Sequence, residues 1–185
     1  MNATPLTRVA LVTGASRGIG AAVARRLARD GFSVAVNYAS SGAEADALVA
    51  ELRAGGAAAL AVRADIGRAD DVRRMFDAVE RQLGRVDVLV NNAGILKTGP
   101  LADATDDAFD RIFDINVVNV VAPGPVATSL FLEGKTDEQI QGYAKMPPLE
   151  RLGEPEDIAG VVSFLAGPDG GWVNAQVLRA NGGLA

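Results

Sequence analysis

The chain has 185 residues, of which 49% are hydrophobic and 22% are charged, and this balance is typical of one soluble globular domain. Its net charge of -5 argues against a nucleic-acid-binding surface, and its apolar runs are far shorter than the roughly 20 residues of a membrane helix. Because it contains no cysteine and no histidine, we exclude disulfides, thiolate nucleophiles, Ser-His-Asp hydrolases and His-ligated zinc sites.

Strands and helices are predicted to alternate through the first half of the chain. Apolar runs that end in turn residues predict four strands, at 8–14, 32–38, 57–65 and 86–94. Apolar residues at helical spacing predict a helix after each of the first three strands, and these helices end at Gly31, Gly55 and Gly84. After the fourth strand, one face of a further helix is marked by Phe109, Ile112 and Phe113.

The second half begins with a strand-like run, 117–122, that leads directly into a Pro-Gly-Pro turn. Residues 129–152 are punctuated by glycine and proline, which predicts short helices in a long loop. A longer helix is expected to start at Pro155, and a closing strand is expected at 175–183. Strands that alternate with helices predict a doubly wound parallel sheet in a single α/β domain, 1–185.

The stretch TGASRGIG, residues 13–20, lies where the first predicted strand becomes the first helix. Gly14 permits the tight turn, Gly18 lets the backbone approach a pyrophosphate, and Gly20 lets helix and strand pack closely. The N–H groups and positive dipole end of the helix would then bind the phosphates. A structural turn with incidental glycines is the alternative, but the strand–turn–helix context favours dinucleotide binding, and the turn lacks the Gly-Lys-Ser/Thr of a P-loop.

The second predicted strand ends in Asn37-Tyr38 and lacks the acidic residue that would bind a ribose 2′-hydroxyl. Such a carboxylate would also repel a 2′-phosphate. Arg17 adds a positive charge within the glycine-rich turn, so the two observations together favour NADP(H) over NAD(H). The alternative for Arg17 is a solvated surface charge without a ligand.

These motifs resemble the short-chain dehydrogenase/reductase family, in its bacterial 3-oxoacyl-[acyl-carrier-protein]-reductase-like branch. The matches appear in family order and cover nearly the whole chain: TGASRGIG (13–20), NY (37–38), ADI (64–66), NNAG (91–94), DINV (114–117), APGPVAT (122–128), PLERLGEPEDIA (148–159) and AQVLRANGG (175–183). The resemblance implies a Rossmann-like fold and NADP(H)-dependent reduction of carbonyl substrates such as 3-oxoacyl groups. It also implies that residues 129–150 form a mobile substrate lid.

By this resemblance, the cofactor contacts fall in five groups. The phosphate contacts are Gly14, Ser16, Arg17, Gly18, Ile19 and Gly20. The 2′-phosphate contacts are Asn37, Tyr38 and Ser41, and the adenine contacts are Asp65 and Ile66. The ribose contacts, which also support the central strand, are Asn92, Ala93 and Gly94. The nicotinamide contacts are Pro123, Gly124, Val126 and Thr128.

Of the catalytic residues that the resemblance implies, only Asn116 is present. The Ser, the Tyr and the Lys four residues after the Tyr normally lie between this Asn and the Pro-Gly turn, yet here Asn116 and Pro123 are 7 positions apart. We therefore expect an internal deletion near 117–118, lost proton-transfer chemistry, and a shortened sheet of about six strands rather than seven. Tyr143 and Lys145 mimic the missing pair, but a spacing of two places their side chains on different faces of a helix.

Three hypotheses stay open: a carbonyl reductase that has lost most of its activity in this chain, a non-catalytic NADP(H)-binding module, and an inactive remnant. The expected partner is a small carbonyl or alcohol substrate, with neither nucleic acid nor membrane, and the homo-oligomer interface of the family is expected to be largely missing. No signal peptide is recognised, so the expected location is cytoplasmic. We expect the run 117–122 to pair beside the fourth strand, since the other arrangement leaves two unpaired sheet edges.

Overall fold

The first half of the chain folds into a parallel sheet with helices on both faces. In the computed structural model, which describes residues 7–94, 119–173 and 176–184, this sheet has the spatial order β3-β2-β1-β4. The strands are β1 (Val9–Val12), β2 (Ser33–Tyr38), β3 (Ala59–Arg63) and β4 (Val86–Val90). The connecting helices are α1 (Gly18–Arg29), α2 (Gly42–Ala54) and α3 (Ala69–Gln82). The four strands and three helices predicted for this half are confirmed.

The core divides between the two faces of the sheet, as the period of two along a strand requires. Ala10 and Val12 of β1 pack in one cluster with α1 and α2. Val9 and Leu11 of the same strand pack in a second cluster, which includes Met75 of α3. Because β1 is buried on both faces, it forms a rigid base for the turn that follows it.

The second half contributes a smaller parallel sheet and three more helices. β5 (Asn119–Pro123) pairs with β6 (Gln176–Ala180) in parallel register. Between them lie α4 (Ser129–Leu132), α5 (Asp137–Ala144), α6 (Pro155–Ala166) and a short 3-10 turn (Pro168–Gly170). The short helices expected within 129–152, the helix that starts at Pro155 and the closing strand are therefore confirmed. Among the described helices, none combines the length and the apolar character that crossing a membrane requires.

The expectation that the run 117–122 extends the first sheet is wrong. Six strands are described, but β5 pairs with β6 in a separate two-stranded sheet, and β4 pairs with β1 alone among the described residues. An apolar run marks a strand without fixing its neighbour, and the second sheet instead meets the first half through α6, whose buried Ala159 joins the same core cluster as α1. The Arg8 guanidinium also donates to the Ala166 carbonyl oxygen at 2.8 Å, which ties the end of α6 to the start of β1.

Several predictions concern residues 95–118. The helix face of Phe109, Ile112 and Phe113, the catalytic assignment of Asn116 and the join near 117–118 all lie outside the described residues.

Candidate functional site

The turn between β1 and α1 presents the start of a helix at the carboxyl edge of the sheet. Gly14 and Gly18 have φ values of 60° and 58°, a left-handed conformation that favours glycine. Arg17 is the extended N-cap of α1, and its side chain makes no capping hydrogen bond. The first helical bond in this turn is donated by the Ala21 N–H to the Arg17 carbonyl oxygen at 3.3 Å. The N–H groups of Gly18, Ile19 and Gly20 therefore precede the helical ladder and can receive an anion.

The glycines of this turn lie against the loop that follows β4. A Cβ added to Gly14 would lie 2.7 Å from the Cα of Ala93, and one added to Gly20 would overlap the Nδ2 atom of Asn92. The role predicted for Gly20, close packing, agrees with this geometry. At Gly18 an added Cβ would make only an ordinary contact with protein atoms, 3.6 Å from Thr128 Cγ2, so the predicted approach of this residue to a pyrophosphate stays a prediction. The positive φ, rather than crowding, makes glycine the favoured residue at Gly18.

Two polar side chains fix the position of the turn relative to β4. The Asn92 amide donates to the carbonyl oxygens of Thr13 at 2.8 Å and Gly14 at 3.1 Å. The Thr13 hydroxyl oxygen accepts the N–H groups of Asn92 and Ala93, each at 3.0 Å. The support of the central strand expected from Asn92 is thus visible in its hydrogen bonds. The corresponding role of Thr13 was not predicted, although a polar residue at the end of an apolar strand was its sequence signal.

The predicted contact of Asn37 with a 2′-phosphate is wrong. Asn37 is buried, with only 1% of its surface exposed. Its amide donates to the carbonyl oxygens of Val62 at 3.3 Å and Ala64 at 3.1 Å, while its oxygen accepts the Gly14 N–H at 3.2 Å. Because both amide hydrogens are already donated inside the protein, Asn37 has none left for a ligand. Instead, it joins the ends of β2 and β3 to the glycine-rich turn.

The other residues predicted at the adenosine end lie near the carboxyl ends of β2 and β3. The Tyr38 ring lies over the start of α2, where a Cβ on Gly42 would come within 3.3 Å of it. Ser41 is the N-cap of α2, and its side chain makes no capping bond. Asp65 accepts the Gly67 N–H at 2.9 Å, and the Ile66 side chain is 44% exposed. Tyr38, Ser41, Asp65 and Ile66 therefore lie at this edge, and their contacts with a cofactor stay predictions.

The Pro-Gly-Pro turn brings the second half of the chain to the same edge. The Gly124 N–H donates to the carbonyl oxygen of Ala180 at 3.2 Å. A Cβ added to Gly124 would lie 2.9 Å from the Cα of Asn181. Thr128 is the N-cap of α4, since its hydroxyl accepts the Phe131 N–H at 3.2 Å. The side chain of Val126 is buried, but its N–H has no acceptor among the described residues. The approach of Thr128 to Gly18 places the predicted phosphate and nicotinamide segments side by side.

The tyrosine of the predicted lid packs within the lid. Tyr143 of α5 contacts Phe131 of α4 edge to face, with ring centroids 5.2 Å apart. The Lys135 ammonium lies over the other aromatic ring, 4.5 Å from the centroid of Phe131. Lys145 is the C-cap of α5, just beyond the end of the helix. No described contact joins Tyr143 to Lys145, in line with the interpretation that they do not form a catalytic pair.

Shifted pKa values occur outside the glycine-rich turn, in surface ion pairs. A hydrogen bond from Arg25 lowers the pKa of Glu51, and one from Arg151 lowers the pKa of Asp157. In these pairs the carboxylates lie 2.8 Å and 2.7 Å from their arginines. Both shifts follow from ion pairs that stabilise helices, and neither group is poised for proton transfer near neutral pH.

A family model described as short chain dehydrogenase matches residues 8–136, which is more than half of the chain. The chain belongs to the short-chain dehydrogenase/reductase family. A second model, described as enoyl-(acyl carrier protein) reductase, matches residues 117–185 of this family member. The predicted membership of this family, a family of oxidoreductases, is thereby confirmed.

Several known proteins resemble the chain over nearly their whole length. An uncharacterised oxidoreductase of Methylorubrum extorquens is 36% identical over 241 residues, which span 96% of this chain and 97% of the relative. A blue fluorescent protein from a metagenomic library, solved in complex with NADPH, is 35% identical with a TM-score of 0.85, covering 98% of this chain and 100% of its own. A short-chain dehydrogenase from Burkholderia cenocepacia, solved with NADP, is 29% identical with a TM-score of 0.83, covering 98% and 99%.

The alignment with the Methylorubrum relative is longer than this chain. It spans 241 residues, which is 56 more than the 185 residues present here. At least 56 residues of the relative are therefore placed opposite gaps in this chain.

Proposed function

We propose that this short-chain dehydrogenase binds NADP(H), in preference to NAD(H), at the carboxyl edge of its parallel sheet. The observation that carries the proposal is the glycine-rich turn, which begins α1 with free N–H groups and lies beside Thr128 of the second half at Gly18. The close approaches at Gly14 and Gly20 pack the turn against the β4 loop, which matches the tight turn and close packing of a dinucleotide-binding fold. Two solved relatives are named as complexes with NADPH or NADP, which further supports the choice of cofactor.

The proposed binding residues are those of the sequence prediction, except that Asn37 acts by holding the turn. The turn 13–20 would hold the phosphates, Tyr38 and Ser41 would adjoin the 2′-phosphate, and Asp65 with Ile66 would adjoin the adenine. The open N–H of Val126, together with Thr128, would orient the nicotinamide amide. The preference for NADP(H) rests on the exposed Arg17 and on the absence of a carboxylate at the end of β2. When bound, the cofactor supplies a hydride to a carbonyl, or accepts one from an alcohol.

We further propose that turnover by this chain is strongly reduced. The sequence has two tyrosines, Tyr38 and Tyr143, and the residues four positions later are Gly42 and Pro147 rather than lysine. Without a positioned proton donor, the reaction loses about 10²–10⁴-fold in rate. Two observations support an internal deletion near 117–118 within one domain. The alignment with the Methylorubrum relative exceeds the chain by 56 residues, and the second family match starts at residue 117. We propose a small carbonyl or alcohol, such as a 3-oxoacyl group, as the ancestral substrate and the cytoplasm as the location.

Fluorescence titration with NADPH tests the binding proposal. We expect saturable binding by the wild-type chain, with NADH binding more weakly. Gly14→Ala should abolish binding, because its Cβ would collide with Ala93, whereas Gly134→Ala is the matched control with positive φ but open space around it. Equal binding by both variants, or none by the wild type, would overturn the proposal.

A turnover assay then distinguishes a reductase with reduced activity from a non-catalytic NADP(H)-binding module. We expect consumption of NADPH with a 3-oxoacyl thioester to be at least about 100-fold slower than with a relative that has the Tyr-Lys pair. Undetectable turnover with intact binding identifies a non-catalytic binding module, and a rate equal to the relative's contradicts the proposed loss. Intact mass must equal 19.1 kDa for these results to apply to the chain described.

A further inference from the structure

A cleft lined mainly by charged residues opens beside the carboxyl ends of β2 and β3. It has a volume of about 330 Å³ and is lined by Ala39, Ser40, Arg63, Asp65, Asp71 and Arg74. Ser40 follows the strand end where a dinucleotide-binding fold distinguishes a ribose 2′-hydroxyl from a 2′-phosphate. The cleft therefore adjoins the part of a cofactor that differs between NADP(H) and NAD(H).

Arg63 is the residue of β3 that reaches across to this loop. It pairs in register with Tyr38, and its Nε donates to the Ala39 carbonyl oxygen at 3.1 Å. This bond holds the base of the guanidinium against the loop and leaves the two terminal nitrogens exposed. Within the part of the chain that the structure describes, those nitrogens have no carboxylate or carbonyl partner.

Each carboxylate of the cleft already accepts a hydrogen bond from a group other than Arg63. Asp71 accepts a hydrogen bond from Arg74 and another from the Asp65 N–H at 3.2 Å. One oxygen of Asp65 accepts the Gly67 N–H at 2.9 Å. Arg63 is consequently the cation of the cleft that remains without an anionic partner.

We propose that Arg63, together with the Ser40 hydroxyl, binds the 2′-phosphate of NADP(H) and sets the preference of this chain for NADP(H). The inference rests on the proposed function, and it adds a residue of β3 to those predicted from the sequence. A guanidinium presents paired N–H donors whose spacing matches phosphate oxygens, and the bond to Ala39 already fixes its orientation. A cofactor without the 2′-phosphate gains nothing from this group.

The test compares Arg63→Gln with Arg73→Gln by fluorescence titration against NADPH and NADH. Arg73 is the matched control, an exposed arginine of α3 that pairs with Asp70 and does not line the cleft. We expect Arg63→Gln to weaken NADPH binding about tenfold, the effect of one charge-assisted hydrogen bond, with the NADH affinity unchanged. Arg73→Gln should leave both affinities unchanged.

Two further variants guard against an effect on folding. Arg63→Lys keeps the charge but loses the paired donors, so it should retain part of the preference, and Ser40→Ala should lose a smaller part. The inference is overturned if Arg63→Gln leaves NADPH binding unchanged or weakens NADPH and NADH equally. A wild-type chain that binds NADPH no more tightly than NADH instead overturns the proposed function, and the inference fails with it.

Discussion

Single buried polar residues determine the shape of the cofactor edge. Asn37 and Thr13 are 1% and 2% exposed, and each joins the glycine-rich turn to a neighbouring strand through several hydrogen bonds. The sequence predicted that the turn and the end of β2 lie together. It could not predict that Asn37 points inward, because a polar residue at a strand end can face a ligand equally well. Three-dimensional packing decides between these roles.

Asn37→Asp is expected to destabilise the protein by about 2–4 kcal/mol, because it removes two donors and places a carboxylate oxygen against two carbonyl groups. Urea unfolding provides the measurement. Exposed Asn91 on the β4 loop is the matched control, and Asn91→Asp should change the free energy of unfolding by less than about 0.5 kcal/mol. Similar losses in the two variants would contradict the bracing role of Asn37.

At the scale of elements, local signals predicted the helices and strands well. Pro155 begins α6 as expected, and the glycines placed at helix ends follow α1, α2 and α3. The partner of β5 was mispredicted, because an apolar run identifies a strand without specifying which edge it joins. The choice depends on tertiary contacts between distant parts of the chain, which no local pattern shows.

The first turn of α6 carries a pH-dependent contribution to stability. Asp157 accepts the Glu154 N–H at 2.8 Å and two bonds from Arg151, and its pKa is lowered chiefly by Arg151. A lowered pKa means that the folded state favours the carboxylate. The contribution is therefore present above the unfolded pKa and is lost as the pH falls through the lower, folded pKa.

Asp157→Asn should accordingly lower Tm at pH 7. The difference in Tm between this variant and the wild type should shrink as the pH falls below about 4. Thermal unfolding monitored by circular dichroism across this range is the measurement. Exposed Asp169 lies in the 3-10 turn after α6, and Asp169→Asn serves as the control with little expected difference at either pH. A Tm difference for Asp157→Asn that is constant with pH would argue against the ion pair.

At the scale of the whole molecule, helix packing joins the two halves. Ala159 is 2% exposed at the contact between α6 and the core beneath α1, and Ser163 of α6 hydrogen-bonds to Asp30 at the end of α1. Both sheets therefore share one helical layer although they share no ladder among the described strands. A change that weakens the contact between α6 and α1 should therefore also destabilise the second sheet.

Ala159→Leu should cost about 1–3 kcal/mol, because the added side chain overfills a closely packed contact. The next residue is the control, since a Cβ on Gly160 meets nothing within 4 Å, and Gly160→Ala should stabilise α6 by about 0.5–1 kcal/mol. The free energies come from urea unfolding. A neutral Ala159→Leu would mean that the contact is too loose to join the halves.

The approach of Gly18 to Thr128 has a thermodynamic consequence. A ligand that lies along this line touches both halves of the chain, so its binding energy adds to the energy that holds them together. At a concentration 100 times its Kd, such a ligand would stabilise the folded state by about 2.7 kcal/mol. The folded fraction of this protein would then rise and fall with the concentration of that ligand.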